Sequence, residues 1–242
     1  MFIYSFIIYY LLFSRGGAKK MVEERAGRIL QILRETFTKP KWFSSRRDPF
    51  ETLVVTIISQ NTADINTARA FENLSKRFRI RPEVLANAET KHIEECLKVA
   101  GLYRNKAKTI KNVSKIVTEK FHGDMDHILS LPFEEARKTL LQIPGVGPKT
   151  ADVVLLFYSK KPTIPVDTHI KRVAKRLGLA PVTGNYEVVR ESLQSLFNPE
   201  DYLDVHILLI LLGRKFCRAR KPLCELCVLN AMCPKLLLNK NA

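Results

Sequence analysis

The spacing of apolar residues limits this chain to a helical fold more strictly than any other feature of its sequence. From Met21 onward, apolar residues recur at steps of three and four, which is the period of an amphipathic helix. The run "DPFETLVVTIISQ" places Asp48 as an N-cap and Pro49 at the first helical position, and both are helix-start signals. We find no run of alternating residues and no hairpin signal in the sequence. We therefore predict an all-α protein.

The same pattern predicts where several helices end. Segments 83–101 and 104–121 carry apolar residues at helical spacing, and Gly101 and Gly123 fit as their C-terminal stops. Segment 202–217 is apolar on nearly every side, so we predict that it lies in a core.

The charge of the chain indicates a polyanionic partner. With 40 Lys and Arg against 24 Asp and Glu, the formal net charge is +16. A globular chain this basic usually meets DNA, RNA or an acidic membrane. A generally basic protein without a specific partner is the alternative, so charge alone favours nucleic acid only modestly.

Residues 1–20 differ from the rest of the chain. Positions 2–13 are almost wholly apolar and aromatic, and twelve residues make a helix of about 18 Å, shorter than the roughly 30 Å core of a bilayer. We interpret residues 1–20 as an apolar extension created by the assigned gene start, with natural translation beginning at Met21. A membrane tether is the rival interpretation. We expect no membrane association of the remainder.

The segment "LLQIPGVGPKTADVVLLF", residues 140–157, places a tight turn between two helices. Gly145 and Gly147 permit positive φ and leave the backbone without Cβ, so a phosphate can approach the N–H groups of these residues and of Val146. The N-terminus of the following helix adds to this anion site. We predict a helix-hairpin-helix element at about residues 134–157 that grips a nucleic-acid backbone. An ordinary turn between helices is the alternative.

Lys149 occupies the second position of the helix that follows the turn. The positive end of the helix dipole disfavours an ammonium there, so we expect its pKa to be lowered. A lysine of that kind is a usable nucleophile, although its spacing fits a phosphate-binding lysine equally well. Asp167 follows eighteen residues later and fits either an N-cap or a carboxylate that stabilises positive charge on a sugar. We interpret the nearby His169 as a structural or surface residue.

Four of the five cysteines form a C-x6-C-x2-C-x5-C pattern near the C-terminus. These are Cys217, Cys224, Cys227 and Cys233. The clustering indicates a metal site rather than a disulfide cage, and either zinc or a four-cysteine iron–sulfur cluster fits. The uneven loops of six and five residues suit the larger, cubic cluster better. We interpret the isolated Cys96 as a buried core residue.

The stretches "IPGVGPKTADVVL" and "VDTHIKRVAKR", with the cysteine tail, resemble the endonuclease III family of DNA glycosylases in the helix-hairpin-helix Gly/Pro-Asp superfamily. The resemblance covers about residues 21–235. It implies two helical domains flanking a DNA-binding cleft. One is a six-helix barrel at residues 42–161, and the other is an iron–sulfur domain made of residues 21–41 and 162–242.

The resemblance also implies a role for each site residue. Lys149 matches the family's nucleophile, Asp167 its catalytic aspartate, and the four tail cysteines the ligands of a [4Fe-4S] cluster. Gln60, in "IISQNTAD", matches a glutamine that fills the gap left by an extruded base. This segment is one residue longer than the family's usual spacing to the aspartate, which weakens the match.

The implied function is base-excision repair of double-stranded DNA that carries damaged bases or abasic sites. The family's usual lesion is an oxidised pyrimidine, which is flipped out of the DNA stack. Lys149 then attacks C1′ of the sugar while Asp167 stabilises the cationic sugar. The resulting Schiff base allows β-elimination, which cuts the strand 3′ to the lesion. We expect a monomer that works in the cytoplasm on nucleoid DNA, and a cluster that is structural or redox-sensing.

Two other functions stay open from the sequence. One is a monofunctional mismatch glycosylase of the same superfamily, but such enzymes typically carry serine or tyrosine at the position of Lys149. The other is a non-enzymatic helix-hairpin-helix DNA-binding protein, which would not need Asp167 at its present spacing.

Overall fold

The computed structural model describes residues 16–40 and 48–238, and α-helices dominate these ranges, without a strand among the described residues. The predicted fold class is therefore confirmed. The helices are α1 Gly16–Thr36, α2 Pro49–Ser59, α3 Asp64–Arg77, α4 Pro82–Asn87, α5 Thr90–Leu97, α6 Tyr103–Phe121, α7 Met125–Ser130, α8 Phe133–Leu141, α9 Pro148–Phe157, α10 Thr168–Arg176, α11 Tyr186–Leu196 and α12 Tyr202–Lys215. Short 3-10 helices span Lys98–Ala100, Pro199–Asp201 and Asn230–Met232.

The apolar run at positions 2–13 lies outside the described residues, so the interpretation of that run stays a prediction. Helix α1 begins at Gly16 and continues through Met21. Within the described ranges, no helix combines the length and apolar character that crossing a membrane requires.

The described residues form two compact units. One unit contains the described part of Ser44–Pro165, and the other contains the described parts of Met1–Phe43 and Val166–Ala242. Helices α2 to α9 belong to the first unit. Helices α1, α10, α11 and α12 belong to the second, together with the loop that carries the clustered cysteines.

Helix α2 forms the centre of the first unit. Its N-cap is Asp48, whose carboxylate accepts hydrogen bonds from the N–H groups of Phe50 and Glu51, as the sequence predicts. Because α2 is apolar on most of its surface, it is buried and packs against α3, α6, α7 and α9. Leu53 and Ile57 lie fully buried at these contacts.

The segment at 83–101 differs from a continuous helix. Its backbone becomes extended at Ala88 and Glu89, which separates α4 from α5. The interruption exposes the carbonyl of Ala88, and Lys111 of α6 donates a hydrogen bond to it at 2.8 Å. This tertiary contact satisfies a backbone group that a continuous helix would have satisfied internally.

Helix α12 forms the centre of the second unit, and residues 205–210 are buried, as the sequence predicts for this apolar run. It packs against α1 and α10. The crossing with α10 is close, since a Cβ on Gly213 would lie 3.0 Å from Cβ of His169.

A charged network on this unit joins α1 to α12. Arg34 donates to Asp201 at 2.5 Å and to Asp204 at 2.8 Å, and Lys39 donates to Asp204 at 2.7 Å. Burial alone would raise the pKa of Asp204, but the hydrogen bonds from Lys39 and Arg34 hold it below the usual value of an aspartate.

Candidate active site and metal centre

The turn between α8 and α9 has the geometry of a helix-hairpin-helix element. Gly145 adopts a φ of +94°, and a Cβ placed on it would lie 2.5 Å from Cγ2 of Thr109 on α6. Only glycine fits this position without a shift in the backbone or in Thr109. Val146 is buried, and its N–H donates to the carbonyl of Ile143 at 2.9 Å. The turn itself therefore uses the Val146 N–H, whereas the sequence pattern predicts that this group faces a phosphate.

A buried ion pair holds the two helices of the hairpin together. Arg137 of α8 donates from Nε to Oδ1 of Asp152 on α9 at 2.7 Å, and from Nη2 to Oδ2 at 3.3 Å. The Asp152 side chain is fully buried. A two-pronged charged pair of this kind fixes the orientation of the helices as well as their distance.

Lys149 lies in the first turn of α9 and is half-buried. The first-turn N–H groups of a helix have no acceptor within the helix and point out of its N-terminus. Gly147, directly before α9, has a φ of −87°, and no heavy atom lies within 4 Å of where its Cβ would be. The hairpin therefore brings Gly145, Gly147 and Lys149 together at one exposed helix end.

Asp167 belongs to the other compact unit, where it caps α10. Its Oδ1 accepts a hydrogen bond from the N–H of Ile170 at 2.7 Å, which fixes the carboxylate at the helix start. The residue is half-buried, so the carboxylate is held in place and still reaches the surface. His169 is also half-buried and contacts Arg172, with its Nδ1 3.1 Å from Nη2. That position fits the structural role expected for His169.

Gln60 ends α2 and is exposed in the short turn that leads to α3. The next residue, Asn61, has a φ of +52°. Sequence reasoning missed Leu102, which has a φ of +45° and is 60% exposed. A leucine held in the left-handed region is strained and marks a candidate functional position, but the sequence shows only a leucine after a glycine.

None of the five cysteines, all of which lie in the described ranges, forms a disulfide, and the four of the C-terminal pattern border one cavity. Arg176, Asn230 and the apolar side chains of Leu212 and Phe216 also line this cavity. Among the described residues, no three potential ligands converge as they would on a single metal ion. The four sulfur atoms instead surround a shared space.

The chemistry of this cavity fits a cationic cluster. Burial raises the pKa values of Cys227 and Cys233, and repulsion from the neighbouring thiolates adds to the effect. Four thiolates are therefore unfavourable together unless a positively charged group lies between them. Buried polar atoms without a hydrogen-bond partner, Nε of Arg176 and Oδ1 of Asn230, belong to residues of the same lining.

Helix α10 also holds the cysteine loop. Arg172 donates to the carbonyl of Cys217 at 2.8 Å, and Arg176 donates to the carbonyls of Arg218 at 2.6 Å and Ala219 at 3.2 Å. The helix that begins at Asp167 and the loop that carries the cysteines therefore form one connected structure.

The comparisons with known proteins agree with this arrangement. The family model of the HhH-GPD superfamily base excision DNA repair proteins matches residues 54–199. The model of the iron–sulfur binding domain of endonuclease III matches residues 217–233.

Endonuclease III of Sulfolobus acidocaldarius is 38% identical over 194 residues, covering 80% of this chain and 85% of the relative. Endonuclease III of Thermotoga maritima is 37% identical, covering 85% of this chain and 92% of the relative. A solved structure of a trapped endonuclease III–DNA covalent intermediate has a TM-score of 0.76 and 28% identity, covering 90% of this chain and 96% of that one. The chain therefore belongs to the endonuclease III family of the helix-hairpin-helix superfamily of base-excision DNA repair proteins.

Proposed function

We propose that the protein removes damaged bases, oxidised pyrimidines above all, from double-stranded DNA and cuts the strand at the resulting abasic site. Membership of the endonuclease III family is the observation that carries this proposal. The solved covalent intermediate between an endonuclease III and DNA supports a mechanism in which the protein bonds to its substrate. The protein is a DNA glycosylase and abasic-site lyase. Its proposed place of action is the nucleoid DNA of the cytoplasm.

Lys149 is the proposed nucleophile. Its neutral amine forms a bond to C1′ of the sugar while the bond from C1′ to the base breaks and the base leaves. The sugar ring opens to a Schiff base, a proton is lost from C2′, and the C3′–O bond breaks on the 3′ side of the lesion. The start of α9 supports this role because the helix dipole disfavours the charged, non-nucleophilic form of the amine.

Asp167 is the proposed electrostatic partner in this reaction. Positive charge develops on the sugar as the base departs, and a fixed carboxylate stabilises that charge. The N-cap hydrogen bond to Ile170 supports the role, since it holds the carboxylate in one orientation before DNA arrives.

The hairpin and the exposed turns are the proposed DNA contacts. The N–H groups of Gly145 and Gly147 and of the α9 start grip a phosphate, while Gln60 occupies the gap left by the extruded base. Leu102 offers an exposed apolar side chain of the kind that DNA-bending proteins insert between base steps. Exposed Arg218, Arg220 and Lys221 add positive charge on the cysteine loop.

The protein carries a [4Fe-4S] cluster, as its iron–sulfur binding domain indicates. The proposed ligands are Cys217, Cys224, Cys227 and Cys233, which border one cavity. When bound, the cluster would supply the positive charge that four clustered, half-buried thiolates require, and no step of the repair chemistry needs it. Its proposed role is to hold the loop that Arg172 and Arg176 connect to α10.

A lesion panel tests the proposed function. Labelled duplexes that each carry one oxidised pyrimidine, one mismatch or one abasic site are incubated with the wild-type protein and with Lys149→Ala and Asp167→Asn. We expect wild-type protein to excise the oxidised base and leave a β-elimination product, and both variants to lose these activities while still binding DNA. Binding without any excision by wild-type protein would leave only the non-enzymatic alternative.

The mismatch glycosylase is separated from this proposal by the same panel. Such an enzyme would release a mismatched base and leave the strand uncut until alkali or heat is applied. The lysine at position 149 favours strand cutting by the protein itself.

A further inference from the structure

Lys106 is a buried lysine to which the repair chemistry assigns no role. It lies near the start of α6, with only 4% of the residue exposed, and burial lowers its pKa below that of a free lysine. Burying an ammonium is costly unless hydrogen bonds compensate. The hydrogen bonds of Lys106 therefore indicate which parts of the structure its burial stabilises.

The Lys106 ammonium connects two turns that are distant in sequence. Its Nζ donates to the carbonyl of Ala100 at 2.8 Å and to the hydroxyl of Thr62. An ammonium only donates, so Thr62 accepts, and the hydroxyl proton is directed to Ala100 at 2.5 Å or to the Gln60 carbonyl at 3.1 Å. These bonds join the turn at residues 60–63 to the turn at residues 100–102.

Both turns are exposed, and each contains a non-glycine residue in the left-handed region. Gln60 and Asn61 are exposed in the first turn, and Asn61 has a φ of +52°. In the second turn, Leu102 has a φ of +45° and is 60% exposed. Such conformations persist only where the surrounding structure enforces them, and Lys106 makes its bonds to the base of both turns.

We propose that Lys106 is a positioning residue for base extrusion, which holds the Gln60 turn and the Leu102 turn together as one rigid edge for filling the gap in the DNA. The proposal rests on the proposed function, because it requires Gln60 to face the DNA. Extruding a paired base costs a few kcal/mol, and the edge that replaces the base offsets part of this cost. If the two turns are mobile relative to each other, binding must first order them. The edge then offsets a smaller part of the free-energy cost of extrusion.

The test uses variants that break the connection in two ways. Thr62→Val removes the acceptor at nearly constant volume, Lys106→Met removes the donor, and Thr62→Ser keeps the hydroxyl. Ser114→Ala is the matched control, because Ser114 is a fully buried hydroxyl on the same helix that donates to Ile110 at 2.6 Å. Thermal denaturation of every variant measures the general loss of stability.

Each variant is assayed on two duplexes that carry the same oxidised pyrimidine, either paired with its complement or unpaired in a bulge. We expect Thr62→Val and Lys106→Met to lower kcat/KM on the paired lesion by about tenfold. The bulged lesion, whose base is already unpaired, is affected much less. We expect kcat/KM of Thr62→Ser to stay near the wild-type value on both duplexes. Any change in kcat/KM caused by Ser114→Ala should be the same on the paired and the bulged lesion.

Equal losses on both duplexes, or a Ser114→Ala variant that reproduces the substrate preference, would overturn the positioning role. The proposed function fails separately, if wild-type protein excises the lesion from neither duplex. The two failures are therefore distinguishable in one set of reactions.

Discussion

Replacing Gly145 with alanine is expected to destabilise the hairpin for two separable reasons. The φ of +94° disfavours any residue with a Cβ, at a cost of about 1–2 kcal/mol. The new methyl group would also lie 2.5 Å from Cγ2 of Thr109, and an overlap of this kind costs about 1–3 kcal/mol. The free energy of unfolding should therefore fall by about 2–5 kcal/mol.

Thr109→Ser separates the two contributions. It removes Cγ2 and leaves the nearest Thr109 atoms, Cβ and Oγ1, at 3.7 and 3.8 Å from the added Cβ, which is ordinary contact. In the Gly145→Ala/Thr109→Ser double variant, we expect recovery of the overlap contribution, about 1–3 kcal/mol, but not of the backbone contribution. Urea unfolding of the wild type, the two single variants and the double variant measures the overlap contribution and the backbone contribution.

Gly147→Ala is the control for the hairpin. Its φ is −87° and the space around its Cβ position is open, so the free energy of unfolding should change by less than about 0.5 kcal/mol. DNA binding should weaken nonetheless, because the methyl group obstructs a phosphate that approaches the backbone. A Gly145→Ala variant as stable as wild type, or an absence of coupling to Thr109, would refute the steric reasoning.

Three further substitutions test other parts of the structure. Arg137→Met leaves the buried carboxylate of Asp152 without its guanidinium. The free energy of unfolding, measured by urea denaturation, should therefore fall by about 3–5 kcal/mol, and a loss under about 1 kcal/mol would contradict this. For Asp204→Asn, the lowered pKa means that the stabilisation is present above about pH 3.9 and disappears as pH falls below it. The free energy of unfolding of the wild type should therefore exceed that of the variant by about 0.5–1 kcal/mol at pH 7, and the difference should shrink as pH falls through the lowered pKa of Asp204. A pH-independent difference would disprove the assignment. Wild-type protein should be brown, with iron and sulfide, and Cys224→Ser should lose the visible absorbance; colourless wild-type protein with stoichiometric zinc would exclude the cluster.

Local signals made the helices predictable from sequence. Asp48 and Pro49 predict the start of α2, because an N-cap and the fixed φ of proline each favour a helix that begins at the next few residues. The burial of α12 follows from an apolar surface that only a core can accommodate. The sequence signal fails at Ala88, where the helix is interrupted and Lys111 satisfies the freed carbonyl.

Features that depend on tertiary contacts were not predictable. Lys106 lies in a run of basic residues and looks like an exposed helix residue, yet it is buried beneath two turns. Val146 looks like a phosphate-facing residue of the turn, but its side chain is buried and its N–H is bonded to Ile143. The partner Thr62 of Lys106 is distant in sequence, and the burial of the Val146 side chain depends on packing that the spacing of the motif does not specify.

Mapping the covalent attachment to DNA identifies the nucleophile of this protein. Wild-type protein is treated with borohydride on an abasic-site duplex, the adduct is digested, and mass spectrometry locates the modified lysine. We expect attachment at Lys149 and no adduct from a Lys149→Ala variant that still binds the duplex. Attachment at another lysine, or an undiminished adduct from Lys149→Ala, would contradict it.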